Sequence, residues 1–404
     1  MLIKIAWRNL WRNKRRSIII LVSVVIGVVA LIIMDALSIG MVRQMLENQI
    51  GAHVSHIQVH KKGFNDNKII QNYLPNSNHV ETVLKSTEGI KYFSPRVLTF
   101  GLLSSATNSS GVYLVGINPE EEEKVTKIKR SLVEGDYLSG KAHEIVIGKK
   151  LAEKLGVELG DKVVAMASTL KGDVGSDVFR IVGLYETFSS EFDKTTIYIP
   201  LDNAQRMLEM GDQITEFAII VDNTKFLDQI KATIQSDLGD AYEVLTYRDL
   251  LPLLVMQIDL YKETIWIFYL IVGIAMVFGI INTMLMSVLE RIHEFGVLMA
   301  IGLRNSKLFV MIMLEALLLG IFGSVLGVIV GVIIYYPLSL SGIDLSLFAA
   351  GLTAFGSGAI IYPVLTSLSI INAVIIIPVV AVLGALYPAY RTTRLQPVTA
   401  IRHV

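Results

Sequence analysis

The stretch that decides the fold is SIIILVSVVIGVVALIIMDALSI, residues 17–39, in which Asp35 is the one charged residue. A helix needs about 20 mostly apolar residues to cross the hydrocarbon core of a bilayer. This run is long enough, so it predicts a membrane span. The composition agrees, since 52% of the 404 residues are hydrophobic. The chain contains no cysteine, which excludes a disulfide-stapled module and a cysteine-ligated metal site.

Outward from this run, the rest of the chain divides by hydropathy into segments that cross the membrane and segments that do not. Three further apolar runs contain no Lys or Arg, so the prediction is a membrane protein with four transmembrane α-helices and a large α+β extracytoplasmic domain between helices 1 and 2. The predicted segments are a cytoplasmic amphipathic helix at 1–16, spans at 17–39, 264–288, 308–336 and 370–390, the extracytoplasmic domain at 40–263, a cytoplasmic coupling loop at 289–307, an extracytoplasmic loop at 337–369 and a cytoplasmic tail at 391–404.

The charge distribution predicts the orientation, although the formal net charge is zero. The three short segments 1–16, 289–307 and 391–404 together hold 12 basic residues against two acids. Short segments rich in Lys and Arg stay in the cytoplasm. We therefore expect both termini in the cytoplasm and the large domain outside. The alternative at the N-terminus is a secretory signal peptide, because residues 36–38 are similar to a cleavage site.

The large polar domain shows short alternating runs that predict strands, and three runs that end at glycine and predict helices. The strands are predicted at 56–60, 112–117, 144–147, 162–167, 178–185, 196–199 and 216–221, and the helices at 149–155, 201–210 and 226–238. We expect two lobes. The acidic run 120–123 is interpreted as the solvated start of a helix, where acids favour the helix dipole.

The motifs of common enzymes are missing from the sequence. On a strand, His56 and His60 share one face and His53 takes the other, so three metal ligands do not converge. No Gly-x-x-x-x-Gly-Lys-Ser/Thr loop occurs, so any ATP is bound by another chain. We expect no catalytic residue, no bound cofactor, no metal site and no nucleic-acid partner.

The loop between spans 2 and 3 contains ERIHEFGVLMAIG, residues 290–302. Phe295, Leu298, Met299 and Gly302 recur at helical spacing and form one apolar stripe. This stripe either packs against the protein's own spans or docks a partner. Glu315 is the one charge well inside a span, and for it both packing against a polar neighbour and a role in coupling stay open.

This loop resembles the coupling-helix signature of FtsX-like and MacB-like ABC transporter permeases. The tail is similar to the end of the same family, with YPAYR at 387–391 and QPVTAIR at 396–402. Within the polar domain, LVGINP at 114–119, EGDY at 134–137 and EIVIG at 144–148 most resemble the lipoprotein-releasing (LolC/LolE) permeases. The resemblance covers the whole chain.

The resemblance implies a multi-pass subunit of the bacterial cytoplasmic (inner) membrane that pairs with a second permease copy or paralogue and with a separate ABC ATPase. It implies a lipoprotein substrate and a periplasmic chaperone, although the loop 169–176 is short for a chaperone-recruiting hook. The residues implied to couple to the ATPase are Glu290, Arg291, Glu294, Phe295, Gly296, Leu298, Met299 and Gly302. Those implied to line a substrate cavity are Val25, Val28, Ile274 and Phe278.

Three other functions stay open. An FtsX-type mechanotransmitter would control a cell-wall hydrolase and move no substrate. A MacB-like permease would export a soluble compound. A membrane-bound enzyme or sensor without ATP would use the charges in or near the spans, which are Asp35, Glu315 and Asp344.

Overall fold

The structure is a computed structural model that describes residues 2–12, 14–348, 351 and 358–394. The chain forms two compact units. The helical unit comprises Met1–Arg43, Gln257–Leu345 and Ile360–Val404, and the sheet unit comprises Gln44–Met256 and Ser346–Ala359.

The α-helices, numbered in chain order, are α1 Leu2–Arg12, α2 Lys14–Gln49, α3 Ser77–Ser86, α4 Pro119–Val125, α5 Lys149–Leu155, α6 Ser190–Thr195, α7 Leu201–Met207, α8 Leu227–Leu238, α9 Tyr247–Leu250, α10 Pro252–Glu290, α11 Ile292–Ala300, α12 Asn305–Ser341 and α13 Ser367–Thr393. The strands are β1 Ile57–Lys61, β2 Ile90–Ser104, β3 Ser109–Ile117, β4 Leu132–Gly135, β5 Glu144–Gly148, β6 Lys162–Ser168, β7 Val174–Tyr185, β8 Thr196–Pro200, β9 Glu216–Val221, β10 Tyr242–Thr246, β11 Ile343–Asp344 and β12 Ile360–Ile361.

Four helices in the described chain are long and apolar enough to cross a membrane, namely α2, α10, α12 and α13. They contain the four predicted spans, and each is longer than the apolar run that predicted it. Helical hydrogen bonds continue into polar flanks because water and headgroups tolerate charged side chains there. The helix α2 runs without a break through 36–38, where the signal-peptide alternative placed a cleavage site.

Glycines on α12 let the first and third spans approach closely. Gly323, Gly327 and Gly331 lie one turn apart and face side chains of α2. A Cβ built on Gly327 would lie 2.5 Å from the Cβ of Val28, which is too close for two carbon atoms. The small-residue ladder therefore packs one span against another within the chain, as such ladders do in lipid.

The sheet unit is built on ten strands in the order β10-β1-β9-β2-β3-β8-β5-β7-β4, with β6 pairing with both β2 and β7. The pairings from β2 through β3, β8, β5, β7 and β6 return to β2, so six strands form a closed ring. On the other side of β2, helices α3 and α8 cover the remaining strands with apolar residues such as Val80 and Ile234. The two expected lobes are thus two parts of one sheet that share β2.

All seven predicted strands overlap strands in the structure, but β2, β4 and β10 of the ten-stranded sheet are not predicted, nor are the short strands β11 and β12. The strand β2 is 15 residues long and contains Pro95 and Gly101, which weaken the strand signal. Pairing with neighbouring strands on both edges stabilises β2 despite these two residues. A further correction concerns His53, which lies in the π-helical turn Ile50–Val54 and not on the strand.

Candidate functional site

The helix α11 joins α10 to α12 and presents two different faces. Ile292, Phe295 and Gly296 are buried, and Phe295 packs with Leu298 against the apolar residues of the long helices. Apolar packing holds α11 to the protein's own spans. Of the two alternatives for the predicted stripe, packing against the spans therefore describes these residues.

The opposite face of α11 is open in this chain. Val297 lies on it, and Ile301, just past the helix end, is 77% exposed. Gly302 follows with φ of +99°, a conformation that glycine adopts without strain and that turns the chain toward α12. Of the remaining predicted coupling residues, Glu290 is exposed and Met299 is half-buried.

A buried ion pair joins α11 to the third span. One guanidinium nitrogen of Arg291, the residue before α11, lies 3.2 and 3.3 Å from the two carboxylate oxygens of Glu315 on α12. The side-chain amide of Asn9 on α1 donates to the same carboxylate at 2.7 Å. Both charged side chains are buried. Glu315 therefore has both a polar partner and a direct link to α11.

The ion pair continues outward through Glu294. The Nε of Arg291 donates to the Glu294 carboxylate at 3.3 Å, and Arg12 of α1 pairs with the same carboxylate. Partial burial raises the pKa of Glu294, but the hydrogen bonds and charges of Arg12 and Arg291 outweigh it and hold this pKa below its ordinary value. Arg291 also lies 5.1 Å from the ring centre of Phe295.

We call these five side chains, Asn9, Arg12, Arg291, Glu294 and Glu315, the coupling network. They connect α1, α11 and α12 within the helical unit. Sequence reasoning named Arg291, Glu294 and Glu315 separately but missed Asn9 and Arg12 as partners. The sequence held one signal for these partners. An acid inside a span, such as Glu315, needs a basic or amide partner.

The predicted cavity residues do not share one environment. Val28 is fully buried against Gly327, so it lines no open surface in this chain. Val25 is half-buried. Ile274 and Phe278 on α10 are exposed, and Phe278 is 69% exposed.

The sheet unit holds a second buried charge cluster that the sequence did not reveal. Arg96 on β2 is fully buried, and its guanidinium makes two hydrogen bonds of 3.0 and 2.7 Å with Glu122 and one of 3.1 Å with Glu216. It also donates to the carbonyl of His53 at 2.7 Å. The run 120–123 does lie in the first turns of α4, as predicted, but Glu122 is buried and not solvated.

The charges of this cluster shift the acid–base behaviour of their neighbours. Burial alone would raise the pKa of Glu216, but the hydrogen bond from His60 and the charge of Arg96 lower it far below its usual range. Burial and the nearby Arg96 lower the pKa of His53 to about 4. The cluster lies where β2 passes from pairing with β9 to pairing with β3, so it fixes the junction of the two parts.

Comparison with known proteins identifies the family. The family model of the MacB-like periplasmic core domain matches residues 17–237, and that of the FtsX-like permease C-terminal domain matches residues 266–397. The chain is 24% identical to the lipoprotein-releasing system transmembrane protein LolC of Neisseria meningitidis, over 97% of this chain and 96% of that protein. It is 22% identical to LolE of Haemophilus influenzae, over 97% of each.

It is also 25% identical to the macrolide export ATP-binding/permease protein MacB of Acinetobacter baylyi, over 96% of this chain and 57% of that protein. Among solved structures, the periplasmic region of MacB from Actinobacillus actinomycetemcomitans aligns with a TM-score of 0.36 and 16% identity, over 55% of this chain and 97% of that one. With its four apolar helices and these relatives, the chain is a multi-pass inner-membrane protein of the FtsX-like and MacB-like family of ABC transporter permeases.

Proposed function

We propose that this permease docks a separate ABC ATPase on the open face of α11 and uses its ATP hydrolysis to release a lipid-anchored substrate from the membrane. The observation that carries the proposal is an exposed apolar tip on a helix that the coupling network ties to a span. Val297 and Ile301 form this tip. An apolar tip in water is stabilised by burial against a partner.

The coupling network supplies a route from the docking face to the spans. A displacement of α11 moves Arg291, and Arg291 is bonded to Glu315 inside α12. Because an uncompensated buried charge is costly, Glu315 follows its partner. We therefore propose Glu290, Glu294, Met299 and Gly302 as residues at or beside the docked ATPase, and Arg291, Phe295, Gly296 and Leu298 as residues that hold α11 to the spans.

The separate ATPase is supported by what the sequence lacks. The chain has no Gly-rich phosphate loop. We propose that the partner chain binds the ATP and that this subunit is not catalytic. The basic residues of the short segments support a cytoplasmic α11 and cytoplasmic termini.

The substrate class is supported by the LolC and LolE relatives, which are named for lipoprotein release. The exposed apolar side chains of Ile274 and Phe278 suit a face that meets acyl chains or a second permease. We propose that a second copy or a paralogue completes the substrate cavity, and that the released lipoprotein passes to a periplasmic chaperone.

The docking face is tested by Ile301→Asp. The full-length permease is purified in mild detergent, and the ATPase that accompanies it is identified by mass spectrometry and by its hydrolysis of ATP. We expect Ile301→Asp to lower ATPase recovery at least about tenfold, because burying an unpaired carboxylate costs more than about 1.4 kcal/mol.

The control is Val174→Asp on β7, where the side chain is 75% exposed in the sheet unit. This variant introduces the same charge at an equally open position and should leave ATPase recovery unchanged. Full ATPase recovery with Ile301→Asp would contradict docking on α11, as would a purified complex with no ATPase at all.

The substrate is tested by photo-crosslinking from Phe278. A photoreactive amino acid at this position should capture a lipoprotein in cells, whereas the same label at Ile333 on α12, which is 65% exposed, should capture bulk lipid. Capture of a small soluble compound at Phe278 would favour MacB-like efflux. Binding of a cell-wall hydrolase to the sheet unit, with no lipoprotein captured, would favour the mechanotransmitter.

A further inference from the structure

A cavity of about 350 Å³ lies among α2, α10 and α13, at the ends of these helices opposite α11. All of its walls belong to the helical unit. Its polar and aromatic lining consists of Asp35, Ser38, Tyr261, Trp266, Tyr269, Thr366, Ser369 and Asn372. The coupling network does not reach it, and neither the relatives nor the proposed docking function assigns it a ligand.

Asp35 is the charged group of this cavity. Within the residues that the structure describes, no Lys, Arg or His side chain pairs with its carboxylate, and the hydroxyl of Tyr269 is the polar group that interacts with it. The side chain is largely buried, within α2 and near the end of its apolar run 17–39. An acid in such a place is stabilised by a cation, because ionised groups away from water need a counter-charge.

The other lining groups suit a cation that carries N–H bonds. Trp266 and Tyr269 stand edge to face with ring centres 5.5 Å apart, and Tyr261 lies one helical turn before Ile265 on the same wall. Aromatic faces attract ammonium groups. The side chain of Asn372 makes no hydrogen bond within the described part of the chain, so its carbonyl oxygen is available as an acceptor.

We propose that this cavity binds the primary ammonium headgroup of a phospholipid of the phosphatidylethanolamine class. Asp35 supplies the counter-charge, Asn372 accepts a further hydrogen bond, and the aromatic rings enclose the methylene groups beside the nitrogen. A lipid fits better than a soluble amine, because the helix surfaces around the cavity are apolar and exposed, as at Ile267 and Ile271. These surfaces suit acyl chains.

The test uses the full-length permease alone, so its result does not depend on the ATPase. The protein is exchanged into mixed micelles that contain phosphatidylethanolamine, phosphatidylglycerol and phosphatidylcholine with matched acyl chains in equal amounts. Native mass spectrometry then counts the lipids that stay bound. We expect phosphatidylethanolamine to be retained about tenfold over phosphatidylglycerol, the factor that one charge-assisted hydrogen bond supplies.

Asp35→Asn should abolish this preference, and Asp344→Asn, which removes an acid outside the cavity lining, should keep it. Trp266→Leu changes an exposed side chain and should weaken the preference without affecting folding. Equal retention of the three lipids by the unmodified protein would overturn the proposal, and so would an undiminished preference in Asp35→Asn. Equal retention of phosphatidylcholine and phosphatidylethanolamine would overturn the requirement for a primary ammonium group.

Discussion

Replacing Glu315 by Ala should destabilise the helical unit far more than an average surface change. The carboxylate takes two hydrogen bonds from Arg291 and one from Asn9, and the Arg291 guanidinium is buried beside it. Breaking a buried ion pair on one side costs about 3–5 kcal/mol, because the remaining charge loses its buried partner, and Arg291 would keep only the half-exposed Glu294. That cost lowers the ratio of folded to unfolded protein by at least about a hundredfold.

The double variant Arg291→Met with Glu315→Leu should recover most of this loss, because it removes both charges and keeps apolar volume. Stability is measured on the full-length permease as the denaturant midpoint of helix unfolding in mixed micelles. The wild type, Arg291→Met, Glu315→Leu and the double variant form a double-mutant cycle. The double variant should nevertheless lose stimulation of the bound ATPase by substrate, since α11 is no longer bonded to α12.

Two outcomes would refute this reasoning. A cost below about 1 kcal/mol for Glu315→Ala would mean that water reaches the pair, as at exposed salt bridges. Full stimulation of the ATPase in the stable double variant would mean that the network holds the fold and transmits nothing.

Two further predictions concern packing and acid stability. Gly327→Ala should destabilise the full-length chain by about 1–3 kcal/mol, because the new Cβ meets Val28, whereas Gly279→Ala, whose Cβ would lie in open space, should have little effect in the same unfolding measurement. The pKa of His53 is lowered from 6.5 to about 4 in the folded protein, because its charged form is disfavoured there. The free energy of unfolding should therefore fall as the pH drops from about 6.5 to about 4. The full loss is about 3 kcal/mol, and circular dichroism of thermal unfolding from pH 7 to 4 should detect it. His53→Gln should remove this step, because the side chain no longer titrates and the backbone carbonyl that Arg96 contacts is kept, while His79→Gln should not. A wild-type melting temperature that is constant over this range would contradict the prediction.

The spans could be predicted because each depends on a local property, the hydropathy of about 20 consecutive residues. The strands with clean alternation, such as β6, were predicted for the same reason. The strand β2 was not, since its stability comes from pairing on both edges and not from its own residues. The family resemblance pointed to α11, but not to which of its faces is buried.

The coupling network could not be predicted from sequence because its members are far apart along the chain. Asn9 and Glu315 are 306 residues apart, and the two meet only when α1 packs on α12. The same holds for Arg96 and Glu216, which are 120 residues apart. The sequence can show that a lone acid in a span, or an acidic run, needs partners. It cannot show which residues those partners are, because tertiary packing brings them together.

The position of β1 in the sheet imposes an order on synthesis and folding. This strand leaves the first span early, yet it lies between β9 and β10, so that Ile57 pairs with Ile219 on one side and Thr246 on the other. The edge of β1 that pairs with β9 stays unpaired until about 160 more residues have been synthesised, and the edge that pairs with β10 until nearly 190 more. Unpaired edges invite aggregation, and such distant pairings form slowly. The sheet unit therefore completes its sheet only when the segment before α10 has been synthesised, so the nascent chain needs protection from aggregation until then.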